Sequence, residues 1–262
     1  MAEYETIRVE RSGGVERIVL NRPDSRNAMS LAMVDELLAA LAAAETDGAR
    51  AVVLSGAGGH FCSGGDIKDM GANPHGAGDP IAAVNARFGH LCAAYAASGL
   101  PVIAVLDGAV MGGCFGLACV ADVAIARETA LFRLPETSLG LVPAQIAPFL
   151  VERLGYSHAK RLAVTGGKID AKTALAIGLV HHLCADEAQL EATLDQVIAD
   201  VRKGAPNAIA ATKALIRRAR LEPASALVDD AAKLFAEAAR SDEGAEGMAA
   251  FIEKRPAKWA EG

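Results

Sequence analysis

The stretch His60-Phe61-Cys62-Ser63-Gly64-Gly65-Asp66 follows a strand-like apolar run at 51–54 and decides how this chain is organised. A second glycine turn, Gly112-Gly113-Cys114-Phe115-Gly116, follows the strand-like run 102–105. Glycine lets the backbone approach a ligand closely and adopt positive φ, and a turn that opens a helix leaves N–H groups without intrahelical partners. Two such turns side by side would aim two N–H donors at one oxygen atom.

A third segment, Leu134-Pro135-Glu136, places a carboxylate where it could enter the same space. Its apolar neighbours, including Leu139, predict partial desolvation of Glu136, which raises the pKa of a carboxyl group toward the range of a general acid or base. The alternative is a structural glutamate that caps a turn. Two glycine turns and one carboxylate together predict an enzyme, whereas either feature alone is weak evidence.

Strand-like and helix-like segments alternate along the first half of the chain, which predicts an α/β architecture. Ser30 can cap a helix that ends before Gly48, and residues 71–80 form either a mobile lid or an ordinary surface loop. After Pro143 the chain is mostly helical, with a linker at 204–206. We therefore expect a core at 1–205 and a helical region for self-association at 206–262. The further predicted strands are 6–10, 17–20 and 122–126, and the further predicted helices are 81–97, 145–154, 157–164, 171–177 and 187–202.

The bulk composition predicts a cytoplasmic enzyme and argues against several other classes of protein. Of the 262 residues 52% are hydrophobic, but none of the apolar runs reaches the roughly eighteen residues of a membrane span, and the first residues lack a signal-peptide pattern. The net charge of -6 without a basic run argues against nucleic acid as a partner. Five cysteines without a C-x-x-C pair predict buried reduced thiols, and the six histidines lack metal-ligand spacing.

The segments 60–70, 108–122 and 132–141 resemble the signatures of the enoyl-CoA hydratase/isomerase (crotonase) family. The resemblance covers essentially the whole chain, because Asn21-Arg22-Pro23, Asn27-Ala28 and the segment 251–255 match as well. It implies a crotonase-like spiral of repeated ββα units with a helical C-terminal region, assembled into homotrimers that often pair into hexamers.

By the same resemblance, the backbone N–H groups of Gly65 and Gly113 are the oxyanion-hole donors that hold the thioester carbonyl of an acyl-CoA. Glu136 is the acid or base at the α-carbon, and no separate cofactor is implied, because coenzyme A is part of the substrate. Lys68 and Lys254 suit its phosphates, Lys254 from a neighbouring subunit, although both could be solvated surface lysines. The implied substrate-binding residues are Gly64, Gly65, Asp66, Ile67, Lys68, Gly112, Gly113, Gly116, Phe251 and Lys254.

The chain departs from the pattern of the common hydratases at two places. Gly116 stands where their first glutamate belongs, which would leave room and remove a negative charge, as suits a substrate with its own carboxylate. The segment Pro143-Ala-Gln-Ile-Ala-Pro148 replaces a glycine-rich one. Both departures resemble the branch that hydrates 3-branched glutaconyl-CoA thioesters. The other acidic residues near these motifs, Asp66, Asp107 and Asp122, are expected to hold turns and backbone.

Three functions remain open on this reading. The first is a hydratase for a branched or carboxylated enoyl-CoA, with Glu136 as its principal acid and base. The second is a Δ3,Δ2-enoyl-CoA isomerase, in which one glutamate moves a proton between two carbons. The third is a noncatalytic acyl-CoA-binding protein on the same fold, against which the presence of Glu136 counts.

Overall fold

Two β-sheets organise the part of the chain that the computed structural model describes, residues 4–66 and 79–260. Neighbouring strands of the larger sheet are parallel from β2 to β9, whereas β1 is antiparallel to β2. In order across this sheet the strands are β1 (Ile7–Ser12), β2 (Val15–Leu20), β3 (Ala51–Gly56), β4 (Val102–Leu106), β6 (Val123–Arg127) and β9 (His182–Cys184). The smaller sheet consists of β5 (Ala109–Met111), β7 (Leu131–Arg133) and β8 (Lys168–Asp170).

The first helix begins where its predicted capping residue places it. Ser30 Oγ accepts the Met33 N–H at 3.2 Å and starts α1, as expected. The segments 145–154 and 157–164, predicted as two helices, form one helix α4 with a break at Gly155, where φ is 70°. The helices are α1 (Leu31–Thr46), α2 (Pro80–Ala97), α3 (Gly113–Val120), α4 (Ala147–Thr165), α5 (Ala171–Ala176), α6 (Glu187–Lys203), α7 (Pro206–Ala219), α8 (Ala224–Arg240) and α9 (Asp242–Glu253).

A repeating strand–strand–helix unit generates this architecture. In β4-β5-α3 and again in β6-β7-α4, one strand enters the larger sheet, the next enters the smaller sheet and a helix follows. The unit after β3 has an isolated bridge from Cys62 to Val110 in place of its second strand. The expected α/β spiral of ββα units is confirmed, although β5, β7, β8 and β9 are absent from the predicted strands.

The larger sheet lies between two apolar clusters, and alternate side chains of its strands point into one or the other. Val52 and Leu54 on β3 point into the main cluster, which includes residues of α1, α2 and α3. Val53 points to the opposite face, where Leu190 and Leu194 of α6 cover it. Successive residues of a strand point to opposite faces, so a sheet covered on both sides needs apolar residues at consecutive positions. The catalytic candidates lie on the α2–α3 side of the larger sheet.

The C-terminal helices α7 to α9 bury few side chains in the described chain. Their buried apolar residues are Leu227 and Ala250, and polar contacts tie the region to the core. Lys213 forms an ion pair with Asp122 and donates to the Leu100 carbonyl. The predicted boundary at residue 206 coincides with the start of α7, and the division into two functional regions remains a prediction. Within the described ranges, none of the helices is long and apolar enough to cross a membrane.

Candidate active site

The first glycine turn is held in place by the loop that precedes α1. Asn27 is fully buried, and its amide Nδ2 donates to the carbonyls of Ala57 at 2.8 Å and His60 at 2.7 Å. The Met29 N–H donates to the Gly64 carbonyl at 2.8 Å. The chain before and after the turn is therefore fixed to a segment that is distant in sequence.

Three of the acidic residues near the motifs have structural contacts. Asp66 Oδ2 lies 2.8 Å from Arg22 Nη2, so this carboxylate is paired beside the turn. Asp107 accepts the Gly108 N–H at 2.7 Å, and Asp122 accepts the Val102 N–H at 2.7 Å. Their expected roles in holding turns and backbone are confirmed. A contact of Asp66 with substrate stays a prediction.

The two glycine turns lie side by side. Cys62 and Val110 form a parallel bridge, in which the Cys62 N–H donates to the Ala109 carbonyl at 2.8 Å. Beyond the bridge, a Cβ atom placed on Gly112 would lie 3.7 Å from Gly64 Cα. Gly64 has φ 107° and Gly112 has φ 54°, a region that side chains with a Cβ rarely adopt. Glycine is therefore favoured at these two positions by the backbone conformation.

Cys62 and Cys114 form a disulfide bond between the two turns, with their Cα atoms 5.9 Å apart. The prediction of five reduced thiols is wrong for this pair, whereas Cys92, Cys119 and Cys184 are free and buried. The parallel bridge at Cys62 brings the two cysteines together. An odd number of cysteines without C-x-x-C spacing carries no information about such a contact.

The backbone N–H groups of Gly65 and Gly113 have no hydrogen-bond acceptor among the described residues. Gly113 is the first residue of α3, so its N–H has no acceptor within the helix. In the described part of the chain, neither of these two N–H groups donates a hydrogen bond. Gly65 is exposed and Gly113 is half-buried. Both donors are therefore available to a ligand oxygen.

Pairing of the small sheet brings Glu136 to the second turn. Strands β5 and β7 are parallel with Met111 opposite Arg133, and the Gly112 N–H donates to the Arg133 carbonyl at 2.9 Å. Glu136 Oε1 consequently lies 3.2 Å from the position of a Cβ atom on Gly112. Its Oε2 is buried without a hydrogen-bond partner among the described residues. Burial raises the pKa of Glu136 above its ordinary value, against a smaller lowering by a backbone hydrogen bond.

The space beside Gly116 is filled by Ile146. A Cβ atom on Gly116 would lie 2.3 Å from Ile146 Cγ2 and 3.5 Å from Cys92 Sγ, and the Ile146 side chain is only 2% exposed. The expectation that Gly116 leaves an open space for a substrate carboxylate is therefore wrong. The room that a glutamate side chain would need is occupied by an apolar one.

Sequence reasoning missed two further side chains, Phe88 beside the second turn and Gln145 against α2. A Cβ atom on Gly113 would lie 2.9 Å from the ring of Phe88 on α2. Gln145 lies against Gly89 of the same helix, and its Nε2 donates to Asn85 Oδ1 at 2.9 Å. These contacts join segments far apart in the chain, so local sequence signals could not have identified them.

The remaining predicted binding residues lie elsewhere or outside the described ranges. Phe251 and Lys254 are exposed, at the end of α9 and just beyond it, and α9 packs mainly on α8. Ile67 and Lys68 lie outside the described residues, as does most of the predicted lid, residues 71–78. Within the described ranges there is no group of three or more His, Cys, Asp or Glu side chains that could hold a metal ion.

A model of the family described as enoyl-CoA hydratase/isomerase matches residues 10–262. The chain belongs to this family. The structure of an enoyl-CoA hydratase/isomerase from Marinobacter aquaeolei is 51% identical with a TM-score of 0.94, covering 97% of this chain and 99% of that one. Pseudomonas aeruginosa AtuE is 52% identical with a TM-score of 0.94, covering 98% and 100%. The 2,3-dehydroadipyl-CoA hydratase of Escherichia coli is 32% identical over 249 residues, 94% of this chain and 95% of the relative.

Membership of the enoyl-CoA hydratase/isomerase family makes this chain an enzyme with the crotonase fold. An acyl-CoA substrate is consistent with the family. In this member, one carboxylate oxygen of Glu136 is buried, the N–H groups of Gly65 and Gly113 have no acceptor among the described residues, and Ile146 fills the space beside Gly116.

Proposed function

We propose that this enzyme hydrates an enoyl-CoA thioester and that Glu136 is both the acid and the base of the reaction. One observation carries the proposal: Glu136 has a buried oxygen without a hydrogen-bond partner among the described residues, next to the turn that opens α3. A buried carboxylate without a partner is costly to stability. Its raised pKa brings the carboxyl group closer to the working range of a general acid or base.

The Gly65 and Gly113 N–H groups would receive the thioester oxygen as an oxyanion hole. Both are free of intramolecular acceptors in the described ranges. Gly113 also gains from the positive end of the α3 dipole. Because negative charge accumulates on that oxygen when the α-carbon becomes enolate-like, the donors bind the transition state more strongly than the substrate.

The reaction adds one molecule of water across the double bond. The deprotonated Glu136 accepts a proton from water as the water oxygen bonds to the β-carbon, and the electron pair of the double bond moves toward the thioester oxygen. The protonated Glu136 then delivers this proton to the α-carbon, and the thioester carbonyl re-forms. Atoms and charge balance with a single carboxylate, which returns to its starting state.

The proposed substrate is a branched or carboxylated enoyl-CoA. The name of the Escherichia coli relative, a 2,3-dehydroadipyl-CoA hydratase, supports a carboxylated acyl group. Such a carboxylate would lie away from Gly116, since Ile146 occupies that space. Leu139, Leu141 and Val142 are exposed apolar side chains shortly after Glu136 and offer contact area to the acyl or pantetheine chain.

A second candidate is Δ3,Δ2-enoyl-CoA isomerisation. Ile146 against Gly116 favours it, because a proton shuttle between two carbons needs only one carboxylate and no bound water. A noncatalytic acyl-CoA-binding role is the third candidate, and the costly burial of Glu136 counts against it.

Turnover of an enoyl-CoA panel in heavy-oxygen water separates these candidates. Hydration incorporates the label into a 3-hydroxyacyl-CoA, whereas isomerisation shifts the double bond of a 3-enoyl-CoA without label. Mass spectrometry of the product measures both. Binding of the panel without turnover of any member would overturn the catalytic proposal in favour of the third candidate.

We also propose assembly into homotrimers or hexamers in the cytoplasm. Ile216, Phe235 and Phe251 on the C-terminal helices are 66%, 77% and 86% exposed in the single chain. Leu215 and Leu234 are half-buried, whereas Leu227 is buried within the chain. A neighbouring subunit would cover the exposed side chains and could receive Lys254 at its coenzyme A site.

A further inference from the structure

The carboxylate of Glu136 lies at the N-terminus of α3, and the side chain of Ile146 lies against the same helix further along. Gly112 is the N-cap residue of α3, and Gly116 follows it by four residues, about one 5.4 Å turn. Glu136 Oε1 lies 3.2 Å from a Cβ atom placed on Gly112, and Ile146 Cγ2 lies against one placed on Gly116. The acid and the isoleucine thus contact positions about one turn apart on α3.

Ile146 is held there by contacts on both sides. The Leu150 N–H donates to its carbonyl at 2.9 Å, which fixes it at the start of α4. The preceding residue, Gln145, lies against Gly89 of α2 and donates to Asn85 Oδ1 at 2.9 Å. The side chains of Gln145 and Ile146 therefore fill the spaces beside Gly89 of α2 and Gly116 of α3. These two contacts leave Ile146 little freedom to move away.

The wall around Ile146 is apolar. Cys92 Sγ lies beside the same position on Gly116, and burial raises the pKa of this thiol far above its ordinary value, so it stays neutral. The Phe88 ring covers the adjoining Gly113. A substrate group that contacts this wall would meet carbon and sulfur atoms and find no charge in these three side chains, whose sole hydrogen-bond donor is the weak S–H of Cys92.

We propose that Ile146 determines which substituents the enzyme accepts on the β-carbon of its substrate. The inference rests on the proposed function, in which the thioester oxygen contacts Gly65 and Gly113 and the α-carbon faces Glu136. The β-carbon is the next atom of the acyl chain, and its substituents then point along α3 toward Ile146. The side chain limits their size and excludes a charged group.

Truncation of Ile146 tests this proposal by binding, which needs no turnover. Calorimetry compares the dissociation constants of two saturated thioesters, butyryl-CoA and 3-methylbutyryl-CoA, for the parent and for Ile146→Ala. One methyl group in an apolar pocket changes affinity by about tenfold or more. We expect Ile146→Ala to shift the affinity ratio toward the branched thioester by about that factor.

Leu150→Ala provides the matched control. Leu150 is 1% exposed and lies one turn further along α4, so its truncation costs a similar packing energy. A merely structural role of Ile146 predicts the same small change of the ratio in both variants, and that result would overturn the proposal. If Ile146→Ala does not fold, Ile146→Val removes one methyl group, and a ratio within twofold of the parent's would likewise overturn it.

The reciprocal substitution extends the test to catalysis. Gly116→Glu alone would clash with Ile146, whereas Gly116→Glu combined with Ile146→Gly makes room for the new side chain. We expect the double variant to fold and to hydrate straight-chain crotonyl-CoA faster than Ile146→Gly alone. A folded Gly116→Glu single variant with parental ligand affinity would show that Ile146 does not close this position. Failure of the proposed function can be distinguished from failure of this inference. If the enzyme is not a hydratase, the parent shows no hydration, whereas the shift of the affinity ratio in Ile146→Ala is still observed.

Discussion

The surroundings of Glu136 and the C-terminal helices differ in how their side chains are covered. Around the two glycine turns, Phe61, Cys62, Cys114 and Phe115 are at most 1% exposed. In α7 to α9, Phe235, Phe251 and Ile252 are 77%, 86% and 78% exposed. The site-bearing core is covered by its own chain, whereas the C-terminal helices carry apolar surface that a monomer leaves in water.

This difference shows where each region obtains its stability. Dense packing holds the backbone of the turns closely enough to position two N–H groups and one carboxylate. The C-terminal region is instead tied to the core by charged contacts such as Lys213 with Asp122. Exposed apolar patches of this kind are typical of interaction surfaces. We therefore expect mutations in the core to affect the chemistry and mutations in the C-terminal helices to affect assembly.

The largest expected effect is the loss of proton transfer in Glu136→Gln. The amide occupies the same space but cannot exchange a proton, so kcat should fall by about a hundred- to ten-thousandfold while KM changes little. Steady-state kinetics on the best substrate measure both constants. The control is Glu128→Gln, which removes an exposed carboxylate paired with Lys172. A Glu136→Gln enzyme as fast as the parent would contradict the single-carboxylate mechanism.

Gly113→Pro should have the next largest effect, because proline has no N–H group. Proline is tolerated at the first position of a helix, and the loss of one oxyanion donor costs about a hundred- to a thousandfold in kcat. Gly113→Ala is the matched control, since it adds a Cβ atom toward the Phe88 ring and keeps the N–H. Equal rates for the two folded variants would show that the N–H takes no part in catalysis.

In the C-terminal helices, a charge introduced on the exposed face of α8 should weaken assembly. Phe235→Asp places a carboxylate where the proposed interface buries an aromatic ring, so sedimentation should show dissociation at concentrations where the parent remains assembled. Ala32→Asp adds the same charge to an exposed position of α1 and should leave assembly unchanged. A parent that sediments as a monomer at micromolar concentration would refute the proposed interface.

The smallest expected effect is on the free energy of unfolding, and it measures how much the burial of Glu136 destabilises the protein. The raised pKa of Glu136 means that folding favours its protonated form. That contribution to stability is present below the ordinary pKa of 4.5 and is lost as pH rises through the raised value. Glu136→Gln lacks this dependence, so it should be more stable than the parent at pH 8.

Urea unfolding at pH 8 and at pH 4.5 measures the difference between parent and Glu136→Gln. The difference should shrink at the lower pH, because more than half of the parental carboxyl groups are then protonated in the folded protein, like the neutral amide. A difference of equal size at both pH values would mean that burial of the charge is not its cause.

Local signals in the sequence were sufficient for most elements of the fold and for the two glycine turns, whereas the catalytic roles of Gly65, Gly113 and Glu136 stay predictions. Ser30 predicts the start of α1, and β4 lies where its apolar run predicts it. The two glycine turns were predicted because glycine allows positive φ and close backbone approach, and Glu136 was predicted from its apolar neighbours. Each of these features depends on residues that are adjacent in the chain.

Features that depend on distant segments were missed or misread. Strands β5, β7 and β8 contain three residues each, too few for a periodic pattern. The Cys62–Cys114 bond follows from the parallel bridge between two turns, which neither segment encodes alone. The sequence shows that residue 116 has no side chain, but it does not show which residue fills the space. Packing of the whole core places Ile146 against Gly116. Close-packed interiors leave few voids, so the neighbour that fills a missing side chain is decided by tertiary contacts.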